Sequence, residues 1–410
     1  MCLDRSRPAP LEVTVHVGDR GRFHISCTCN KDELKSLIPN EIDPCKWHFA
    51  FESLAEAGHS KRIRTLNILF DDPYIPPEER AHLALRSCRF FHLSSFQFTT
   101  LQWTDDGTSY TNNLFSVPPF PPTLRSLSFK GPRHVQFMHL NNLTSFTFGN
   151  YDVVTNPETF RTFMLNNQSL ETLSLERIML DGRSNGPPVC LANLKSFSVG
   201  CPSASKIIST LIRIPALHCL SSLRIFPMGD YYDRFTLRAT GDGFVFTIES
   251  DFSSIVETWQ DLTGYAEPTI RHVRLENSSE VDFTSYSADN TIISLFADAH
   301  TIEVGRGCLG FFYTGFLDDL DQLGSQLKTI RFEVPEDTEP LRGPVRYEDR
   351  VGYLLDDIED LVRYRFEQEQ PFSLVERMVA SDNEEVNRRQ ADVWRSFYRD
   401  RCLDRYIRPE

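Results

Sequence analysis

The chain has 410 residues and carries 57 Asp and Glu against 43 Lys and Arg, a formal net charge of −14 at pH 7. That balance argues against a general nucleic-acid binder, whose affinity rests on cations set against phosphate. Hydrophobic residues make up 40% of the chain, including 31 Phe against 13 Tyr and 4 Trp, so core material is ample and wholesale disorder is excluded. At about 150 residues per domain, this length suggests two or three globular domains unless the chain repeats itself.

Residues 1–60 read as an N-terminal cap, with a strand on Leu11, Val13, Val15 and Val17 and an amphipathic stretch from Trp47 to Leu54. The start at Met1 lacks the apolar core of a signal peptide, and no later stretch approaches 18 apolar residues. A soluble protein of the cytoplasm or nucleus, without membrane association, is expected. The ten cysteines are scattered through the chain and are expected to be reduced and mostly buried. His24, Cys27, Cys29, Cys45 and His48 could supply zinc ligands. Cys27-x-Cys29 lacks the usual C-x-x-C spacing and equally suits two buried small side chains, so no metal is assigned.

Beyond the cap, a frame of apolar-x-x-apolar-x-apolar recurs ten times. It runs through Ile63-Leu66-Ile68, Leu93-Phe96-Phe98, Leu124-Leu127-Phe129, Leu143-Phe146-Phe148 and Leu170-Leu173-Leu175. It continues through Leu194-Phe197-Val199, Leu220-Leu223-Ile225, Ile270-Val273-Leu275, Ala299-Ile302-Val304 and Leu327-Ile330-Phe332. The steps between starts are 30, 31, 19, 27, 24, 26, 50, 29 and 28 residues, mostly in or near the period of a leucine-rich repeat, with the 50 about two periods. Each frame reads as a short strand whose second and third apolar residues share one side, a side it cannot bury alone. Stacking the strands in parallel buries them all, and Phe in many of these slots accounts for part of the Phe excess.

Helical spacing lies between the frames, over Glu79–Phe91, Asn156–Leu165, Ser203–Leu217, Ser253–Leu262, Asp289–Ala299 and Leu309–Leu323. Asn156 before Pro157 is a capped start, and Ser203 is expected to cap the next helix. The fold class is therefore α/β: a curved leucine-rich-repeat solenoid over 61–334, with parallel strands on the concave face, helices on the convex face and a C-terminal helical cap. Pro118-Pro119-Phe120-Pro121-Pro122 contains P-x-x-P but stands where a rigid loop is needed before Leu124. The sequons at Asn142, Asn167 and Asn277 read as chance matches. Within the long step, Phe235, Leu237 and Ala239 alternate toward Asp242-Gly243, and Phe244, Phe246 and Ile248 alternate away. That predicts a projecting hairpin near 228–250.

Gly305-Arg306-Gly307-Cys308-Leu309-Gly310 matches G-x-G-x-x-G after a predicted strand, with Glu333 at the end of the next. Gly305, Gly307 and Gly310 thus support an alternative reading as a dinucleotide-binding protein. Against it, strand–helix–strand is what every neighbouring repeat does, and one such unit cannot supply a doubly wound sheet. Residues 335–410 read as a Pro- and charge-rich linker followed by a helical cap. In the cap, Val351, Leu354, Leu355, Ile358, Leu361 and Val362 form a stripe, with Asp356, Asp357, Glu359 and Asp360 on or beside a solvated acidic face. Ser381 and Glu384 make a capping box for a last helix carrying Trp394 and Phe397. No grouping of residues specifies catalysis, and no enzyme activity or cofactor is assigned.

If the frames are strands, the residue between the last two apolar slots projects into the concave face. These residues are Asn67, Gln97, Ser128, Thr147, Ser174, Ser198, Arg224, Arg274, Glu303 and Arg331, with Lys130, Glu176, Phe226, Glu276 and Glu333 next outward. Arg224, Phe226, Arg274, Glu276, Glu303 and Arg331 are the candidate partner-binding residues, with Phe226 expected to be exposed. The same charges can equally form a ladder of ion pairs, Arg274 with Glu303 and Glu303 with Arg331.

The frames, the Phe-rich core and the stretch Leu3-Asp4-Arg5-Ser6-Arg7-Pro8-Ala9-Pro10-Leu11-Glu12-Val13 together resemble the F-box/leucine-rich-repeat proteins of mushroom-forming fungi. There a similar L-x-R-S-x-x-x-P-L segment follows shortly after the F-box. The resemblance implies a ubiquitin-ligase substrate receptor, whose F-box docks a Skp-type adaptor and whose repeats hold the substrate. This chain begins after the point where the F-box would stand, so the adaptor is expected only if an F-box lies upstream. The reading of the residues is a non-enzymatic protein-interaction scaffold.

Overall fold

A frame puts two apolar side chains on one face of an extended segment, and the structure forms a strand on all ten frames. Every frame side chain is buried, none more than 4% exposed. The computed structural model describes residues 10–17, 23–27, 59–70, 90–100, 120–130, 140–200, 202–228, 234–276, 298–305, 326–333, 358–378 and 384–408. The architecture is mixed α/β with mostly parallel strands, in two compact units, Met1–Pro215 and Ala216–Glu410.

In the first unit the strands are β1 (Leu11–Val17), β2 (Phe23–Cys27), β3 (Ile63–Phe70), β4 (Ser95–Thr100), β5 (Ser126–Lys130), β6 (Ser145–Thr155), β7 (Thr172–Leu180), β8 (Val189–Cys190), β9 (Ser196–Val199) and β10 (Ile212–Arg213). The main sheet runs β9-β7-β6-β5-β4-β3-β1-β2, parallel throughout except at β1–β2, and β8 pairs separately with β10. Register sets slot against slot: Leu66 opposite Phe96, Phe96 opposite Leu127, and Leu127 opposite Phe146. The Phe98 and Phe129 rings therefore stack at 5.0 Å, and Phe129 and Phe148 at 6.4 Å. This is where much of the Phe excess goes.

Helix α1 (Pro157–Asn166) starts as its sequence dictates, with the Asn156 side chain accepting from the Glu158 and Thr159 N–H groups at 2.9 and 3.4 Å. Its Phe163 packs on Phe146 of β6, with ring centroids 4.6 Å apart. Just past α1, Asn167 is fully buried. Its amide donates to the Leu140 and Phe163 carbonyls at 2.9 and 2.8 Å and accepts from the Leu143 N–H at 2.9 Å. The Asn167 sequon is thus a buried structural link. Helix α2 (Pro202–Leu211) begins at Pro202, so Ser203 lies inside its first turn and is not the cap expected of it. The helix also stops six residues short of Leu217, because Ile212 and Arg213 leave it to pair with β8.

The parallel steps share one bond pattern. The carbonyl of Ser94 accepts from Arg125 and Ser126 at 2.8 and 2.9 Å, and that of Arg125 from Thr144 and Ser145 at 2.7 and 3.0 Å. Thr144 accepts from Glu171 and Thr172, and Glu171 from Lys195 and Ser196, at 2.7 to 3.0 Å. Each step thus pins the next strand through two adjacent backbone donors and one acceptor, to which the Thr144 hydroxyl adds a third bond on the Arg125 carbonyl at 3.2 Å.

The second unit holds β11 (Ser222–Pro227), β12 (Phe235–Gly241), β13 (Phe244–Ser250), β14 (His272–Leu275), β15 (Thr301–Val304), β16 (Thr329–Phe332) and β17 (Leu374–Arg377). Its strands run β17-β16-β15-β14-β11-β12-β13. The same two-donor step recurs on the carbonyls of Ser221, Arg271, His300 and Lys328. The predicted hairpin forms, with Asp242 and Gly243 at φ 42° and 76°, the left-handed pair that a tight two-residue turn requires. It does not project: β12 pairs antiparallel with β11, so the hairpin continues the sheet. Phe235, Phe244 and Phe246 are consequently core, at most 3% exposed, and are not available to a partner. Helix α3 (Phe252–Thr263), capped by the Asp251 carboxylate on the Ser254 N–H at 2.9 Å, lays Trp259 on Phe246 at 5.8 Å.

The C-terminal region differs from a purely helical cap. It is helical over 358–367 and Glu384–Asp400, but between them β17 pairs in parallel with β16. Glu359, read as part of a solvated face, is only 4% exposed and is held by Arg363 and by Arg401, the latter at 3.0 Å. Arg365 is also buried, donating to the Leu327 carbonyl at 3.0 Å and to Gln370 at 3.1 Å, and burial pushes its guanidinium pKa down. Of the described cysteines, Cys190 and Cys219 are exposed free thiols and Cys402 is a half-buried one; none of the three occupies a frame slot. Among the described residues no helix is long and apolar enough to cross a membrane. The helical spacing expected over 79–89, 289–297 and 309–323, and the capping residue Ser381, lie outside the described residues.

Candidate functional site

Since frame side chains occupy one face of each strand, the residues between them occupy the other. In the first unit this open face carries Asn67, Gln97, Ser128, Thr147, Ser174 and Ser198, all half-buried and uncharged. Asn67 donates to Thr14 across β3 and β1 at 3.3 Å. In the second unit the equivalent positions are charged, and strand register aligns them: Arg224 with Arg274, Arg274 with Glu303, Glu303 with Arg331, and Arg331 with Glu376.

Ion pairs follow the register. Arg331 bonds Glu303 and Glu376, each at 3.0 Å, and the two carboxylates raise its pKa above the ordinary arginine value. Glu303 is nearly buried and is faced as well by Arg274 at 3.6 Å and His272 at 3.7 Å. Glu276 takes both Arg224, through its Nε at 2.9 Å, and Arg274. The Arg224 guanidinium also lies 4.8 Å from the centre of the Phe226 ring, so Phe226 is half-buried where an exposed ring was expected.

The structure therefore brings Arg224, Phe226, Arg274, Glu276, Glu303 and Arg331 together on one face, and the cross-strand ladder Arg274–Glu303–Arg331 is present. Sequence reasoning missed Glu376, because Arg377 fills the third slot of the Phe372-Val375 frame and hides β17. It also missed Arg238, which the hairpin places opposite Arg224. Alternation of Phe235, Leu237 and Ala239 inward was the signal that Arg238 points outward.

Gly305 has a local explanation. Its N–H bonds the Leu275 carbonyl at 2.7 Å, and a Cβ there would stand 2.8 Å from that oxygen. Gly200, at the same place after β9, meets the Glu176 carbonyl in the same way. The first glycine of the motif thus serves a close backbone approach, as Gly200 does. Gly307 and Gly310 lie outside the described residues, as do the side chains of His24, Cys27, Cys29, Cys45 and His48 considered for zinc. Of the P-x-x-P segment, Phe120 packs on Phe96 at 5.2 Å, in keeping with a loop held to the core.

Comparison with protein-family models, with curated proteins and with solved structures finds no match for this chain.

Proposed function

We propose that the chain is a non-enzymatic protein-interaction scaffold: a leucine-rich-repeat solenoid that holds a protein partner on the open face of its strands. In this reading it is the substrate-binding part of an F-box-type ubiquitin-ligase receptor when an F-box precedes it in frame. The observation that carries the reading is the division of labour within each repeat. Frame residues and backbone carbonyls make the parallel steps, and the positions between the last two frame slots change from neutral in one unit to charged in the other without altering that step. Such a surface can be respecified without refolding.

Affinity capture with the tagged full chain tests it. Co-purification of a Skp-type adaptor and a cullin identifies a ligase receptor, and translation of the genomic sequence upstream of Met1 shows whether an F-box is in frame. Arg224→Glu with Arg274→Glu is expected to lose the substrate partner. A captured partner that survives this double reversal overturns the open-face site.

A further inference from the structure

Across β14, β15, β16 and β17 the outward charges alternate, Arg274, Glu303, Arg331 and Glu376, and each neighbouring pair is joined by an ion pair. The alternation breaks on the other side of Arg274. Register sets Arg238 of β12 opposite Arg224 of β11, and Arg224 opposite Arg274 of β14. Three guanidinium groups therefore stand on consecutive strands, about 4.8 Å apart at the backbone. Like charges directly opposite one another destabilise a sheet. One carboxylate, Glu276, answers Arg224 and Arg274 together. Arg238 is exposed, faces Thr247 on its other side, and makes no ion pair among the described residues. Phe226, beside Arg224, adds an apolar floor.

We infer that β12, β11 and β14 form the docking surface for an acidic peptide segment of the protein partner, with Arg238 as its anchor. The inference rests on the scaffold reading and names the chemistry of the partner. An extended peptide rises about 3.3 Å per residue and turns every second side chain to the same face, so carboxylates two and four residues apart reach about 7 and 13 Å and bracket the roughly 10 Å from Arg238 to Arg274. The partner's carboxylates supply the charge that the sheet leaves unmatched, as they would in any electrostatically complementary interface.

The test uses the full chain and a fluorescein-labelled alternating Asp-Glu octapeptide, read by anisotropy at about 50 mM salt, where surface charges are weakly screened. Binding that weakens with added salt is expected. Arg238→Gln should lower affinity about tenfold, the equivalent of about 1.4 kcal/mol, while Arg331→Gln changes it less than about threefold. The urea midpoint of Arg238→Gln should hold or rise, because removing this cation relieves repulsion; a fall would mark a structural arginine and overturn the assignment. No binding above a Ser-Gly octapeptide, or equal losses in the two variants, also overturns it. If the octapeptide fails while Arg224→Glu with Arg274→Glu still releases a captured partner, the acidic-peptide assignment falls and the scaffold stands. If the octapeptide binds through Arg238 while that partner survives the reversal, the open-face reading of the partner falls instead.

Discussion

Asn167 offers a quantitative test of how the first unit is held together. Its side chain satisfies three backbone groups at 2.8 to 2.9 Å, and no part of it reaches solvent. Asn167→Ala leaves the Leu143 N–H and the Leu140 and Phe163 carbonyls without this partner. At about 1 to 1.5 kcal/mol for each lost bond, the cost is about 3 to 4 kcal/mol, a rise of roughly 10² to 10³ in the local opening constant. Hydrogen exchange of the full chain reads this locally: amides in 140–175 should lose protection by that factor while those in 235–276 keep theirs. Asn167→Asp sharpens the test. The new carboxylate would face two carbonyl oxygens, so its folded pKa is raised and the folded state holds the extra proton. Stability is then present at low pH and lost as pH rises through the folded pKa, so protection should recover toward pH 4 in this variant alone. A loss below about threefold for Asn167→Ala would refute the three-bond account.

Further outcomes follow from single contacts. Gly305→Ala forces a methyl to within 2.8 Å of the Leu275 oxygen and should cost about 1 to 3 kcal/mol, measured by urea unfolding. NAD should leave the melting temperature unchanged, and an NAD-dependent rise abolished by Gly307→Val would restore the dinucleotide reading. Phe246→Ala removes the ring stacked on Trp259 and should cost about 3 to 5 kcal/mol, with a red shift in Trp emission. Arg331→Leu should cost about 1 to 2 kcal/mol, because Glu303 is nearly buried, whereas Glu376→Gln on the more exposed side should cost under about 1; the reverse order would contradict the ladder.

The strands were legible because their signal is local. Three slots at fixed spacing specify which face is buried whatever the partner strand, so Phe96-Phe98 and Ile302-Val304 announce themselves equally well. Pairing is not local. Nothing in Phe235–Ser250 says whether its hairpin stands off the sheet or joins it, and the answer came from β11 accepting an antiparallel neighbour. That one fact moved three phenylalanines into the core and placed Arg238 among the site residues. β17 was hidden by Arg377, a polar residue in an apolar slot. Glu359 and Arg365 read as surface residues by type, yet both are buried because other segments supply Arg401 and the Leu327 carbonyl.

The two-donor step at Ser94, Arg125, Thr144 and Glu171, and again at Ser221, Arg271, His300 and Lys328, is built on main-chain donors and acceptors. A step of that kind is indifferent to which repeat comes next. Duplication or deletion of one whole repeat would present the next strand with the same carbonyl and the same pair of donors.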